Sequence, residues 1–308
     1  MERIMSDTNS ERLSSVEATK LAAVLCQRLA LRRSVPLLAI KGDAFMALGI
    51  RPLRPASDLD VLVSPSFHKQ FCADLEGSGW ELRSDDLGGH YANHSSTYFN
   101  SQWPVDIDVH HRFPGFSGDT QKTFDLLWEQ KQTVKIANQD IITVSELDAR
   151  IIQALNCLRN PWKPLDQAEF HFLIENTADH LANQLSDRGI ALSCLAEIRP
   201  FLLSLDPNLD LIDWPQESAE WRAQKISSSV GALRIIDIIE SPFKDKVRLI
   251  KSAMFPSTRS LISKSMGEFT MDSNIWAKLN LGWKRCRQFI KDAPKTFTAL
   301  RRYYGRSK

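Results

Sequence analysis

The sequence predicts an α+β protein in which a small mixed sheet with flanking helices is followed by a mainly helical C-terminal region. Two observations lead to this prediction. Up to about residue 143, short apolar and β-branched runs are separated by turn-forming residues, which is typical of strands. Beyond Ser145 the apolar residues recur at helical spacing, and an order of strands first and helices after is typical of α+β or two-lobed proteins.

The first elements follow from apolar spacing and capping residues. An amphipathic helix is predicted over residues 10–33, and the buried run LLAI that follows is predicted to be a strand. A second helix is expected to begin around Gly42, and the loop GIRPLRPAS then leads into the strand DLDVLV. Ser64 as N-cap and Pro65 at the first helical position predict a third helix that ends near Gly77.

The region after this helix is predicted to be mainly β. The runs WELR, STYFNSQ and VDIDVHHRF are predicted strands, and a turn at 101–104 pairs the last two as an antiparallel hairpin. A second hairpin is expected across TVKIANQDIITV, with NQD as its turn. These patterns divide the chain into an α+β domain at 1–143, a helical domain at 144–243 and a basic, aromatic helical tail at 244–308.

Composition limits the class of protein. With 43% hydrophobic and 25% charged residues, the chain of 308 residues resembles a globular protein with a sizeable core. Five cysteines are scattered singly, which favours reduced thiols in a cytoplasmic protein over a disulfide framework or a zinc site. The N-terminus lacks the apolar core of a signal peptide, and no run reaches the roughly 20 apolar residues of a membrane span.

The net charge of +2 is unevenly distributed along the chain. Residues 244–308 contain 16 Lys and Arg against 4 Asp and Glu, whereas residues 1–243 contain 23 against 33. The basic character therefore belongs to the tail.

Two aspartates, Asp58 and Asp60, stand one residue apart at the start of the apolar strand DLDVLV. Residues i and i+2 of a strand share one face, with their Cα atoms about 6.5 Å apart. Two carboxylates on one face repel each other unless a cation lies between them. The pattern fits Mg²⁺, which proteins bind through one or two carboxylates together with substrate phosphates.

A second acidic strand supplies the other half of such a site. In VDIDVHH, the side chains of Asp106, Asp108 and His110 share one face. Two metal ions held by shared carboxylates align an attacking oxygen and a leaving pyrophosphate, and LLAIKG upstream forms a strand–Gly–helix start suited to phosphates. One DxD pair is more often a solvated strand end, but the combination favours phosphoryl or nucleotidyl transfer.

In their order, these motifs resemble a bacterial nucleotidyltransferase family with a Lys-Gly signature, within the DNA polymerase β superfamily. Its pattern is an apolar strand ending in KG, an Arg shortly before D-h-D-h-L-V, and a later strand reading h-D-h-H. Here the matching residues are Lys41 and Gly42, then Arg54 before SDLDVLV, then IDVHHRF. The similarity covers about residues 37–113.

The resemblance implies that the first domain is catalytic, with a polymerase β-like fold. The implied activity is Mg²⁺-dependent transfer of a nucleoside monophosphate from an NTP to a hydroxyl of an unknown acceptor, with release of pyrophosphate. Asp58, Asp60 and Asp108 are implied to bind the metal, with two ions expected, and Asp108 also to activate the acceptor hydroxyl. Lys41 and Gly42 are implied to contact the phosphates, because a side chain at the glycine would block the approach of the backbone.

Two positions near the expected nucleotide have more than one interpretation. Arg54, implied to bind nucleotide, and Arg51 suit phosphate recognition, but Arg54 would equally neutralise the carboxylates when metal is absent. Asp43 replaces the Ser or Gly that better characterised members carry after the glycine, and it would repel a triphosphate unless its side chain points away.

Residues of the second acidic strand also have more than one possible role. Asp106 competes with Asp108 for the role of third carboxylate, or it hydrogen-bonds a loop. His110 is expected to orient a carboxylate, to touch phosphate or to have a purely structural bond. A zinc site built from the loop histidines His90 and His94 with the HH pair of the strand matches none of the usual spacings.

Two other function classes stand beside catalysis by a nucleotidyltransferase. One is a catalytically degenerate module that binds nucleotide or a partner, which Asp43 would explain. The other is an adaptor for RNA or a membrane surface that uses the tail, where aromatic residues are interleaved with Lys and Arg. An ordinary amphipathic helix with a solvated cationic face explains the same pattern. The acceptor is expected to be a small molecule, a protein or a polysaccharide precursor, with nucleic acid not favoured.

Overall fold

The computed structural model describes residues 13–83, 94–211, 213–226, 230–254 and 275–305. Within these ranges, one mixed sheet has the strand order β3-β4-β5-β2-β1-β7-β6. Its strands are β1 Leu37–Ile40, β2 Asp58–Val63, β3 Glu81–Leu82, β4 Ser95–Phe99, β5 Asp106–His110, β6 Gln132–Ile136 and β7 Gln139–Thr143. The α+β class with a mixed sheet is therefore confirmed.

Helices flank the sheet and form nearly all of the regular structure after it. In chain order they are α1 Ser15–Arg33, α2 Gly42–Ala47, α3 His68–Gly77, α4 Thr120–Glu129, α5 Glu146–Arg159, α6 Pro164–Glu175, α7 Ala182–Ala191, α8 Arg199–Leu205, α9 Ala219–Ile226, α10 Val230–Glu240, α11 Phe243–Met254 and α12 Ile275–Gly305. Short 3₁₀ turns lie at Pro65–Phe67, Asp179–Leu181 and Pro207–Leu211.

Two parallel pairings bring distant segments together in the sheet. β2 runs antiparallel to β1 and parallel to β5, and β1 runs parallel to β7. The predicted hairpins are both present, as β4 with β5 and β6 with β7. The turn of the second hairpin is Ala137–Asn138 and not NQD, because β7 already begins at Gln139 and the two turn residues have the positive φ of 48° and 58° that a two-residue hairpin loop requires.

Two predicted helix starts are refined by the structure. α1 begins at Ser15, with Ser14 and Glu17 forming a capping box, and the predicted start at residue 10 lies outside the described residues. The Ser64 side chain does not cap a helix. Its carbonyl accepts from the Phe67 amide in a 3₁₀ turn, and its hydroxyl bonds to Gln121, so the α-helix begins later, at His68.

The alternation of β2 decides where the carboxylates point. Its residues Leu59, Val61 and Val63 pack with α1 and α3 in one apolar cluster. Its residue Leu62 belongs instead to a second cluster, which continues into α5, α7, α8 and α9. Because Asp60 has the same parity as Leu62, its side chain lies on the face of the sheet that the C-terminal helices cover.

The cysteines and the helices bear on two further expectations, reduced thiols and the lack of a membrane span. The described cysteines are free thiols: Cys26, Cys72, Cys157 and Cys194. No described helix is both long enough and apolar enough to span a membrane.

Candidate active site

The two acidic strands lie side by side and in register. Because β2 is parallel to β5, Asp58 pairs with Asp106 and Asp60 pairs with Asp108. The next pair on the same face is Leu62 with His110. The sheet therefore brings together the two halves of the site that the alternating sequence pattern suggested.

Asp60 is at the centre of this arrangement. Its side chain is 6% exposed, and its Oδ1 lies 2.5 Å from Lys41 Nζ and 2.9 Å from His110 Nε2. Burial alone would raise the pKa of this carboxyl, but the charge of Lys41 and the bonds with His110 outweigh it and hold the pKa below its ordinary value of 3.8. Asp60 is therefore an ionised carboxylate at neutral pH.

Asp108 has a contrasting environment. Thr97 of the neighbouring strand donates its hydroxyl to Oδ1 of Asp108 at 2.5 Å. Burial and the repulsion of Asp60 raise the pKa of Asp108 above 3.8, although the Thr97 bond acts against the rise. A raised pKa makes Asp108 a stronger base than an ordinary aspartate, while one of its oxygens is held in place.

Within the described residues, three side chains form a group that could hold a metal ion. Asp60, Asp108 and His110 each offer one ligand atom, and these atoms lie within 4.8 Å of one another. Asp58 is on the same strand face, and its charge raises the pKa of Asp108, but its Oδ1 accepts from Ser57 and it is not one of the three. Two carboxylates suit a hard divalent cation, and an imidazole nitrogen beside them widens the range of metals that fit.

Asp106 is held away from this group. Arg83, just after β3, binds both of its oxygens, with Nε and a terminal nitrogen at 2.7 and 2.8 Å. This bidentate pair leaves Asp108 as the carboxylate that faces Asp60.

The Lys-Gly turn after β1 has an unusual backbone. Lys41 and Gly42 both have positive φ, of 59° and 42°, and α2 begins at once. A Cβ on Gly42 would lie 3.4 Å from the Cβ of Ala56, so the strained φ more than crowding favours glycine here. The Asp43 carboxylate accepts from the Thr19 hydroxyl of α1 at 3.2 Å, so this side chain contacts α1.

The arginines of the preceding loop meet a helix of the C-terminal half. Arg51 Nε and a terminal nitrogen of Arg54 each lie 3.1 Å from Oε1 of Glu169 on α6. Gln153 of α5 donates to the other Glu169 oxygen at 2.8 Å. The cation that pairs with Asp60 is therefore Lys41, whereas Arg51 and Arg54 both pair with Glu169.

A family comparison decides the class of this site. Residues 16–234 match a family model described as "Uncharacterised nucleotidyltransferase". The chain belongs to this nucleotidyltransferase family. The expected enzyme class is thereby confirmed, and the Lys-Gly signature stays a prediction.

The nucleotidyltransferase is also similar to solved structures at low identity. An antigenic nucleotidyltransferase-like protein from Paracoccidioides brasiliensis is 15% identical with a TM-score of 0.40, over 65% of this chain and 93% of the other. The antibiotic-resistance factor ANT(2'')-Ia is 14% identical with a TM-score of 0.39, over 65% of this chain and 100% of the other. The comparison with curated proteins gives no match.

A polar cleft of about 110 Å³ opens beside the carboxylates of this nucleotidyltransferase. Lys41, Gly42 and Asp58 line it from the sheet side, and Asn156 and Asp166 line it from α5 and α6. The helical half thus forms the wall opposite the carboxylates.

Sequence reasoning missed several residues of the site. Glu169, Gln153 and Asn156 lie on helices far along the chain, and their spacing gives no sign that they face the sheet. Thr97 had a signal, because the predicted hairpin of STYFNSQ with VDIDVHH places it opposite Asp108 once the register is known. Arg159, at the end of α5, likewise had no signal in the sequence. It feels the charges of Asp60 and Asp108, which raise its pKa, but burial outweighs them and lowers the pKa below its ordinary value.

The histidines near β5 form two pairs of ring contacts. His94 stacks on His110, with centroids 5.6 Å apart, and burial together with the charge of His110 lowers the pKa of His94. His111 follows β5 and contacts the edge of His68, with ring centroids 5.0 Å apart. His90, the remaining member of the zinc alternative, lies outside the described residues. The metal group found among the described residues includes His110 but neither His94 nor His111.

Proposed function

We propose that this nucleotidyltransferase transfers a nucleoside monophosphate from an NTP to an acceptor hydroxyl, releases pyrophosphate and uses Mg²⁺. The observation that carries the proposal is the convergence of ligand atoms of Asp60, Asp108 and His110 within 4.8 Å, beside a polar cleft that Asp60 lines. An acidic group of this kind beside a Lys-Gly turn fits a metal-bound triphosphate better than it fits a neutral ligand.

The metal would be held by Asp58, Asp60 and Asp108, with His110 as an accessory group. Two ions are proposed. Bound Mg²⁺ would offset charge on the phosphates and align the reacting oxygens. The donor set fits this role, since two of the three convergent groups are carboxylates and one of them, Asp60, is held ionised.

Three residues of the protein are proposed to act as the base and as phosphate contacts. Asp108 is the proposed base: its pKa is raised, and Thr97 fixes Oδ1, so that Oδ2 is the oxygen to accept the proton of the acceptor hydroxyl. Lys41, in the Lys-Gly turn, pairs with Asp60 and would bind the triphosphate once a cation replaces it there. Gly42 leaves its backbone open to the same phosphates.

Arg54 is proposed to contact the nucleotide from the loop before β2. It lines the same cleft as Asp58, and its partner Glu169 fixes the position of its guanidinium. The acceptor would enter between the sheet and α5 and α6, where Asn156 and Asp166 offer polar contacts. Its class stays open between a small molecule, a protein and a polysaccharide precursor.

The test is release of pyrophosphate from each of the four NTPs in the presence of Mg²⁺ and a panel of hydroxyl acceptors. The variant Asp58→Asn/Asp60→Asn is expected to lose turnover by about 10³-fold or more, because the charge stabilisation at the reacting phosphate is removed. Asp140→Asn is the matched control, since this carboxylate is 66% exposed and pairs with Lys135 on a hairpin. Turnover in the double variant equal to wild type would overturn the proposal.

The degenerate binding module is the competing proposal. It rests on Asp43, whose carboxylate would repel a triphosphate if it faced the phosphates but is hydrogen-bonded to Thr19 of α1. Nucleotide binding without pyrophosphate release on any acceptor would favour this module over the enzyme.

A further inference from the structure

A stripe of exposed apolar side chains runs along α11. Phe243 is 81% exposed, Val247 is 59% exposed and Ile250 is 45% exposed. Their spacing of four and three residues places all three on one face of the helix. An apolar face of this kind in water is costly unless something covers it.

The same helix has a buried side and charged flanks. Leu249 is 8% exposed, and α11 contacts α10. At about 100° of rotation per residue, Lys244 lies to one side of the apolar stripe and Lys246 to the other. The stripe is thus bordered by lysine on both flanks, with the packed face turned away from it.

α12 also exposes large apolar side chains on one face. Trp283, Phe297 and Tyr304 are 60%, 72% and 40% exposed, and their spacings of fourteen and seven residues keep them on one face. The neighbouring Tyr303 is buried with α9 and α10 and donates its hydroxyl to Glu240 at 2.7 Å. α12 therefore packs on the protein through the face of Tyr303, and the face of Trp283, Phe297 and Tyr304 is the exposed one.

Both helices are strongly basic. α11 contains four Lys and Arg and one Asp, and α12 contains eight Lys and Arg and one Asp. Both also lie beyond residues 16–234, the part that matches the nucleotidyltransferase family.

We propose that α11 and α12 bind the surface of an anionic phospholipid bilayer, with the apolar stripes in the acyl boundary and the lysines and arginines at the headgroups. Exposed apolar faces bordered by Lys and Arg are the pattern of helices that lie in the plane of such an interface. Each basic residue near an anionic leaflet adds attraction, which salt weakens.

Other occupants fit these observations less well. Single-stranded RNA is gripped by aromatic residues in a basic groove. Two of the three exposed apolar side chains of α11, Val247 and Ile250, are aliphatic, and Arg287 already lies over the ring of Trp283 on α12 at 5.5 Å. A second copy of the chain would bring two tails with 16 basic against 4 acidic residues each into contact, and like charges oppose that association.

The test is flotation of the full chain with vesicles of phosphatidylcholine alone and of phosphatidylcholine mixed with phosphatidylglycerol. Wild type is expected to float with the anionic vesicles and to dissociate as salt is raised. Phe243→Ser/Val247→Ser is expected to lower the partition constant about tenfold or more, because binding scales with the apolar area buried in the interface. Leu31→Ser/Ile190→Ser is the matched control, since these residues are 63% and 60% exposed but lie on α1 and α7.

A second variant guards against misfolding. Lys244→Gln/Lys246→Gln keeps the apolar stripe and is expected to weaken binding to anionic vesicles only, with circular dichroism unchanged. The proposal is overturned if wild type does not float, if both variants float as wild type does, or if the two serine substitutions on α11 have no more effect than the control pair. Tight RNA binding or dimerisation in place of flotation would assign the surface to that other occupant.

Discussion

Lys41 Nζ lies 2.5 Å from Oδ1 of Asp60, and the two side chains are 15% and 6% exposed. The pair joins the Lys-Gly turn after β1 to the proposed metal ligand on β2. The charge of Lys41 therefore compensates the buried carboxylate of Asp60 in the protein without metal.

Substitution of Lys41 should show how much this ion pair contributes to stability. Lys41→Met is expected to lower the free energy of unfolding by about 3 kcal/mol at neutral pH, because a buried carboxylate then loses its main cation. Asp60 has a lowered pKa, so its contribution is present above the ordinary value of 3.8 and is lost as pH falls below it. Urea unfolding at pH 7 and at acid pH measures both effects. Lys135→Met, which breaks an exposed pair with Asp140, should cost at most about 1 kcal/mol.

The two aspartates of β5 should behave differently on substitution. Asp108→Asn is expected to lower kcat by about 10³-fold, because the proposed base is removed. Asp106→Asn should retain most of the turnover, since Asp106 is held by Arg83 at a partly exposed position. Steady-state kinetics of the two variants compares them directly. An equal loss of kcat in both would show that the assignment of the base to Asp108 is wrong.

Asp108→Asn also has a consequence for stability. Since folding raises the pKa of this carboxyl, its ionised form destabilises the folded state at neutral pH, and the penalty disappears as pH falls through the folded pKa. The variant should therefore melt about 2 °C or more above wild type at pH 7 and near wild type at acid pH. Thermal melts in parallel buffers measure this, and a destabilised variant at pH 7 would contradict it.

Thr97 is predicted to be a positioning residue. Thr97→Val keeps the shape of the side chain but removes the bond to Asp108, so kcat should fall about tenfold while KM for the NTP changes little. Thr97→Ser should restore most of kcat because it restores the hydroxyl. If valine kept the wild-type kcat while serine lost it, the methyl packing would matter and the hydrogen bond would not.

Glu169 is predicted to hold the arginine loop against the helical half. Glu169→Ala leaves Arg51 without its buried partner and should lower the free energy of unfolding by about 3–5 kcal/mol. Combining it with Arg51→Met should give less than the sum of the two single losses, because both remove one interaction. Additive losses in this double-mutant cycle would show that the two residues are independent.

Local patterns predicted much of the fold. LLAI, DLDVLV and the hairpin with VDIDVHH have the length, alternation and turn residues of strands, and the structure has β1, β2, β4 and β5 there. The same alternation placed Asp58 with Asp60 and Asp108 with His110 on single faces before their partners were known. Such signals succeed because they lie within a few residues of each other.

The rest depends on packing between distant segments. Neither the parallel pairing of β1 with β7 nor the approach of Glu169 to the arginine loop has a local signal. The cap expected from Ser64 was overridden by its contact with Gln121, which is a tertiary contact over 57 positions. One interpretation of the sequence was that Arg54 balances the carboxylates. In the structure Lys41 pairs with Asp60 instead, because β1 ends directly beside it.

The most direct test of the site is a thermal-shift titration with Mg²⁺ and each NTP, on wild type and on Asp58→Asn/Asp60→Asn. Ligands that bind the folded state raise its apparent melting temperature. Wild type should show an NTP-dependent rise that requires Mg²⁺, and the rise should vanish in the double variant while Asp140→Asn keeps it. An equal rise in wild type and the double variant would contradict a metal-nucleotide site at these carboxylates.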